Sequence, residues 1–220
     1  MTKLTAIGNS VFSRILLGCG FILPLIAMGQ SVEKWNTYAI SHKINQSNLN
    51  SKRLFRDKTK AGSLENNIAN FYLYKNGVLV KPTSKSGRDF YAAGCLCFKF
   101  NDTLLFSSGL GRSAGVGLGL KIIKDQFSST FHVNSGNALV YKLNKDDSDY
   151  VDDLNVEPLY QSLKLMQKPN ESGEIMVGEY HGIFRNFYQK GTKTGRIYIR
   201  KYSVTLIFKC KITGIDSIKN

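Results

Sequence analysis

Histidine, proline, cysteine and acidic residues are all scarce in this chain of 220 residues. Three histidines leave little room for a histidine-based metal or catalytic centre. Four prolines exclude a proline-rich linker protein, and four cysteines are too few for a disulfide-dense miniature scaffold. Only 16 acids face 30 basic residues, for a net charge of +14. No apolar run reaches the roughly 20 residues that a membrane-spanning helix needs, so no transmembrane span is expected in the mature chain. Hydrophobic residues at 42% and charged residues at 21% are what remains, and they describe a globular chain rather than a disordered one.

The N-terminus reads as an export signal. Lys3 and Arg14 precede an uncharged apolar stretch, Ile15 to Ala27, and Ala27-Met28-Gly29 supplies small residues at the two cleavage positions. Cleavage after Gly29 removes two of the basic residues and leaves Gln30 first. Leu16-Leu17-Gly18-Cys19 also matches a lipoprotein signal acylated at Cys19, but the apolar run continues past that cysteine, which is the wrong side for such a signal. The expected location is periplasmic or extracellular. Three segments follow: a signal peptide 1–29, a polar basic segment 30–70, and a β domain 71–220. Lys52, Arg53, Arg56, Lys58 and Lys60 make the second segment basic, and Trp35 to Ile40 suits a short strand.

From residue 71 the chain alternates apolar runs with turn residues. Lys75-Asn76-Gly77 between Phe71–Tyr74 and Val78–Val80 predicts a hairpin, because Asn and Gly tolerate positive φ. Phe90–Phe100 and Thr103–Phe106 form a second hairpin about Asn101-Asp102. Gly115–Ile123 and Phe127–Val133 form a third, and Ala138–Leu143 a further strand. Glu174–Tyr188 and Arg196–Ile212 are long β-rich runs. The pattern predicts an all-β fold, an antiparallel sandwich or partly closed barrel of about eight or nine strands. Besides the signal helix, one short helix is expected near 149–168, interrupted by Pro158. Val204, Leu206, Phe208, Cys210 and Ile212 are expected on one core face, and Leu96, Phe98 and Phe100 on another. A membrane barrel is disfavoured, since the strands alternate poorly and the chain ends Ile218-Lys219-Asn220.

Gly178-Glu179-Tyr180-His181-Gly182-Ile183-Phe184 followed by Lys201-Tyr202-Ser203-Val204 resembles the closing hairpin of small exported bacterial β-sandwich proteins of unknown function. The Ala-Met-Gly-Gln junction is similar to those of exported proteins of Gram-negative gliding and gut bacteria. The resemblance implies a fold and no activity.

Several groups of residues bear on chemistry. Cys95 and Cys97 share a strand face and cannot readily bridge each other, so either pairs with Cys210 or all three stay reduced; their strand phase, opposite Leu96 and Phe98, argues for buried thiols. Gly109-Leu110-Gly111-Arg112-Ser113-Ala114 fits a dinucleotide fingerprint in spelling only. Val116, Leu118 and Leu120 continue at strand spacing, so no helix N-terminus receives a phosphate, and no cofactor is expected. Asp146, Asp147, Asp149 and Asp152 are the candidate calcium ligands, although the glycine and glutamate of an EF-hand loop are missing. His42, His132 and His181 lie on separate segments. Tyr198, Arg200 and Tyr202, with Arg185 nearby, offer aromatic and basic side chains for stacking and anion binding. The expected function is a binding or structural β module for an anionic envelope polymer or surface, such as a polysaccharide, or for a partner protein. An exported hydrolase with a dispersed site, and extracellular nucleic-acid binding, are the alternatives; no catalytic residue stands out.

Overall fold

The computed structural model describes residues 33–47, 49, 65–82, 90–111 and 114–214. The expected signal segment 1–29, with Cys19 of the rival lipoprotein reading, and the basic run 52–60 lie outside the described residues. Fifteen strands run in chain order: β1 Asn36–Thr37, β2 Ala39–Ile40, β3 Asn67–Lys75, β4 Val78–Leu79, β5 Tyr91–Phe100, β6 Thr103–Gly111, β7 Gly115–Ile123, β8 Gln126–Asn134, β9 Tyr141–Lys142, β10 Asp153–Val156, β11 Pro158–Leu165, β12 Ile175–Phe184, β13 Phe187–Lys190, β14 Ile197–Arg200 and β15 Tyr202–Gly214. Among the described residues there is no helix, and so none long and apolar enough to cross a membrane.

The all-β expectation holds, and the hairpins fall where the turn residues place them. Asn76 and Gly77 both adopt positive φ, 53° and 81°, which lets β3 turn directly into β4. Asn101, at φ 51°, does the same between β5 and β6. The expected helix near 149–168 is instead β10 and β11. Pro158 opens β11, where its missing N–H costs least. Gln161, Leu163 and Leu165 then alternate inward, a period of two that apolar content alone did not reveal. The expected strand Ala138–Leu143 shortens to Tyr141–Lys142.

Twelve strands form one sheet in the order β1-β8-β7-β6-β5-β3-β15-β12-β11-β2, with β10 on β8 and β4 on β3. The sheet is mixed rather than purely antiparallel, because β2 runs parallel to β11 and the end of β15 parallel to β5. It turns over at β5. Tyr91–Gly94 pair with β3, whereas Cys97–Lys99 pair with Ile212–Gly214. The two halves then face each other in a sandwich-like roll. Phe106 meets Phe208 at 4.5 Å between ring centroids, and Phe131 stacks on Phe184 at 4.9 Å. Burying each such ring stabilises the fold by roughly 2 kcal/mol, an upper figure because unfolded chains are partly compact.

The roll does not close by a continuous ladder. One segment bridges its two free edges: Asn36–Thr37 pair with β8, and Ala39–Ile40 pair with β11. A polar relay fills the seam beneath it. The Tyr180 hydroxyl and Ser129 Oγ lie 2.7 Å apart, and Ser129 Oγ donates to Gln161 Oε1 at 2.7 Å. Ser129 has one proton, so Tyr180 is the donor to Ser129. The Gln161 amide then donates to the Lys34 carbonyl and to Asn36 Oδ1. Gly182 is required here, since a Cβ on it would stand 2.1 Å from the Tyr180 hydroxyl.

One core expectation is corrected. Leu96 and Phe100 are 44% and 56% exposed and Phe98 is half-buried, whereas Cys95 and Cys97 point inward. Cys97 pairs with Phe106, whose ring meets Phe208 across the core, so the small side chains Ala93, Cys95 and Cys97 form the inner face of β5 beside bulky neighbours. That inversion brings Cys95 to Cys210, with Cα atoms 6.0 Å apart in a disulfide. Cys97 stays a buried free thiol. The expected face of β15 is buried throughout, from Val204 to Ile212.

Candidate functional site

A second sheet, of three strands in the order β14-β13-β9, lies at the end of the roll where β12 hands over to β13. Its register sorts its side chains. Phe187 faces Arg200 and Gln189 faces Tyr198 and Tyr141, so these five share one face. Tyr188, Ile199 and Lys142 align on the other, with Lys190 and Ile197 beside them.

The inner face is anchored to the core. Phe187 stacks on Tyr202 at 5.8 Å, and Tyr202 reaches Phe131 at 5.2 Å. Arg200 is half-buried at its margin. Its Nε donates to Gln189 Oε1 at 2.8 Å, and its guanidinium lies 4.7 Å from the Tyr198 ring centroid. Its field reaches three neighbours. Lys75 is pushed down by burial and then by Arg200. Tyr141 is raised by burial and by Tyr202, with Arg200 opposing, and Tyr202 is raised by burial with Arg200 again opposing.

The outer face gathers cations about an aromatic ring. Lys142 and Lys190 lie 5.1 and 5.6 Å from the Tyr150 ring centroid. Next to them Ile197 and Ile199 are 56% and 57% exposed. From 185 to 201 the chain carries Arg185, Lys190, Lys193, Arg196, Arg200 and Lys201 and no acid. Ion pairs among the described residues are Lys121 with Glu33 and His132 with Asp153, so none neutralises this hairpin. An open cleft of about 620 Å³ adjoins it, lined by Asn76, Ile183, Asn186, Ile199 and Lys201.

The four residues expected to bind ligand separate into three roles. Tyr198 and Arg200 come together. Tyr202 is largely committed to core stacking. Arg185 turns away to donate to Asn144 Oδ1 at 3.3 Å. Lys142, Tyr150 and Lys190 were missed by sequence reasoning, because three separate segments supply them.

The candidate calcium ligands Asp146, Asp147, Asp149 and Asp152 do not gather. Among the described residues no three histidine, cysteine, aspartate or glutamate side chains are grouped for a metal. Asp147 instead accepts from the Asn144 backbone and side-chain amides, which hold its carboxyl below the usual range. The glycine run makes a tight strand pair: a Cβ on Gly115 would stand 1.8 Å from the Leu110 carbonyl oxygen, so the close approach is that of its own neighbouring backbone. His132 pairs with Asp153 at 3.2 Å and lies 3.1 Å from Asn155 Oδ1, and His181 Nδ1 lies 3.0 Å from Thr205 Oγ1. Both sit on outward sheet faces, apart from the cleft beside Ile199.

Comparison with known proteins finds no matching family model, no matching curated protein and no matching solved structure. Chemistry of the surface therefore carries the functional argument.

Proposed function

We propose that the protein is an exported, non-catalytic binding module that docks on an anionic envelope surface through the β13–β14 hairpin. One observation carries the reading: from Arg185 to Lys201 the chain carries six cations and no carboxylate, and on the β13–β14 hairpin Ile197 and Ile199 are exposed on the same face as Lys190. Crowded like charges repel each other, and a negative surface relieves that repulsion. Exposed isoleucines beside lysines suit a surface with apolar material under charged headgroups, and favour it over a purely polar polysaccharide. Near an anionic leaflet each basic residue contributes about 1 kcal/mol, attenuated by salt.

The test is vesicle flotation with anionic and with neutral lipids, at low and high salt, with a soluble anionic polysaccharide as competitor. Binding to anionic vesicles that salt reverses supports the proposal. The double variant K190Q/R196Q should bind about thirtyfold more weakly, from two lost contributions. Equal retention on neutral and anionic vesicles overturns it. Retention on polysaccharide alone would transfer the role to a glycan.

A further inference from the structure

At the opposite end of the roll, three loops line a half-open cleft of about 280 Å³. Lys99 comes from the end of β5, Lys124 from the β7–β8 turn, and Lys168 from the stretch after β11. Asp102 is the single acid in its wall, and Leu104 and Ile122 lie at its base. We propose that this cleft is a binding site for a phosphate monoester group, distinct from the hairpin surface.

One of the three ammonium groups is tethered, and the backbone that carries a second is fixed. The Lys99 ammonium donates to the Asn170 carbonyl across the cleft. Lys124 adopts φ 55°, a left-handed conformation that Asn or Gly would occupy with less strain. The turn is fixed by Tyr38, whose hydroxyl donates to the Lys124 carbonyl at 3.0 Å and whose N–H donates to the Asp125 carbonyl at 3.2 Å. A lysine kept where the backbone prefers another residue points to a use for its charge. Three lysines lining one small space supply charge and donors in the number that the three acceptor oxygens and near-double charge of a phosphate monoester call for. The apolar base strengthens each interaction by lowering the local dielectric. Asp102 opposes an anion directly and tunes affinity downward. The volume admits a phosphate with a small substituent.

Calorimetric titration of the full chain with inorganic phosphate at low salt tests the site. Saturable one-to-one binding is expected. K168Q and K124N should each weaken it about tenfold, the size of one lost charge-assisted hydrogen bond. D102N should tighten it severalfold, and K190Q/R196Q should leave it unchanged. K124N also relaxes the turn, so its melting temperature should hold or rise, which separates lost binding from lost folding. Glycerol 3-phosphate and phosphatidic acid vesicles are parallel probes, the vesicles tested on K190Q/R196Q so that docking by the hairpin is removed: tighter binding of the first supports a soluble ester, and of the second a lipid headgroup. Absence of saturable binding by all three probes, or equal affinity in wild type, K124N and K168Q, overturns the proposal.

Discussion

Tyr180→Phe should destabilise the wild-type protein and stabilise a Ser129→Ala variant. The sign change follows from the proton count in the seam. In the wild type, Tyr180 donates to Ser129, which donates to Gln161 Oε1, at 2.7 Å in each step. All three side chains are buried, at 0%, 6% and 2% exposure. Removing the Tyr180 hydroxyl alone deletes one neutral hydrogen bond and costs about 1 kcal/mol. Removing the Ser129 hydroxyl leaves two orphans, the Tyr180 O–H and the Gln161 Oε1. Each buried orphan costs about 1–3 kcal/mol, so Ser129→Ala should cost about 3 kcal/mol. On that background Tyr180→Phe eliminates one orphan and should recover about 1 kcal/mol. Urea unfolding of the four proteins, followed by the fluorescence of Trp35 beside the bridging segment, yields the cycle. The expected coupling is about 2 kcal/mol. If Tyr180→Phe costs the same in both backgrounds, the relay does not operate and the seam is held by apolar packing alone.

Gly178→Ala should cost about 2 kcal/mol or more in a thermal melt, because the new Cβ would stand 2.3 Å from the Phe208 ring and 2.9 Å from Leu165. Gly77→Ala meets no atom within 4 Å, so its cost of about 1 kcal/mol comes from φ 81° alone. Reducing Cys95–Cys210, which are 115 residues apart, should cost about 4 kcal/mol and lower the melting temperature by about 10 °C; an unchanged melt in reductant would refute a stabilising bridge. Stability should also fall as pH rises above the ordinary values of 9.0 for Cys97 and 10.0 for Tyr180. Burial pushes Cys97 up to about 12 and raises Tyr180 further, while the Ser129 hydrogen bond opposes the latter shift. Both groups have raised folded values, so the unfolded chain loses its protons first and gains on the folded one. Each contributes a slope of about 1.4 kcal/mol per pH unit between its two values. Tyr180→Phe should flatten the urea midpoint against pH above about pH 10.

Local chemistry was legible, and phase was legible only where one strand face is polar. Asn76-Gly77 and Asn101-Asp102 announce their hairpins because positive φ is a property of those residues themselves. The buried face of β15 is legible because its opposite face carries Thr205, Lys209 and Lys211. In β5 both faces are apolar, so hydrophobicity cannot choose between Leu96 and Cys97; Cys95 faces inward to meet Cys210, which arrives from β15, 115 residues away. The run 149–168 misleads for a related reason. Pro158 looks like a helix interruption in isolation and becomes the first residue of a strand only once Phe184 is its neighbour. At the small sheet, Tyr188 pairing with Lys142 sets the outer face, and no spacing within either segment encodes that meeting.

The two cationic surfaces can act independently, and their placement is the reason. Strand β12 runs from Ile175, beside the loop that carries Asn170, to Phe184, at the entrance to the small sheet. Ten residues of strand separate the two ends by about 30 Å, roughly three to four Debye lengths at physiological salt. Charge removed at one end therefore leaves the potential at the other nearly unchanged. The hairpin pairs its cations with exposed isoleucines and an open cleft, which suits an extended surface. The lysine cleft gathers three lysines in about 280 Å³ over an apolar base, which suits one compact dianion. Loss of both binding activities in K190Q/R196Q would contradict this separation. It would mean that phosphate binds the hairpin, and that the cleft at Lys99, Lys124 and Lys168 has no ligand of its own.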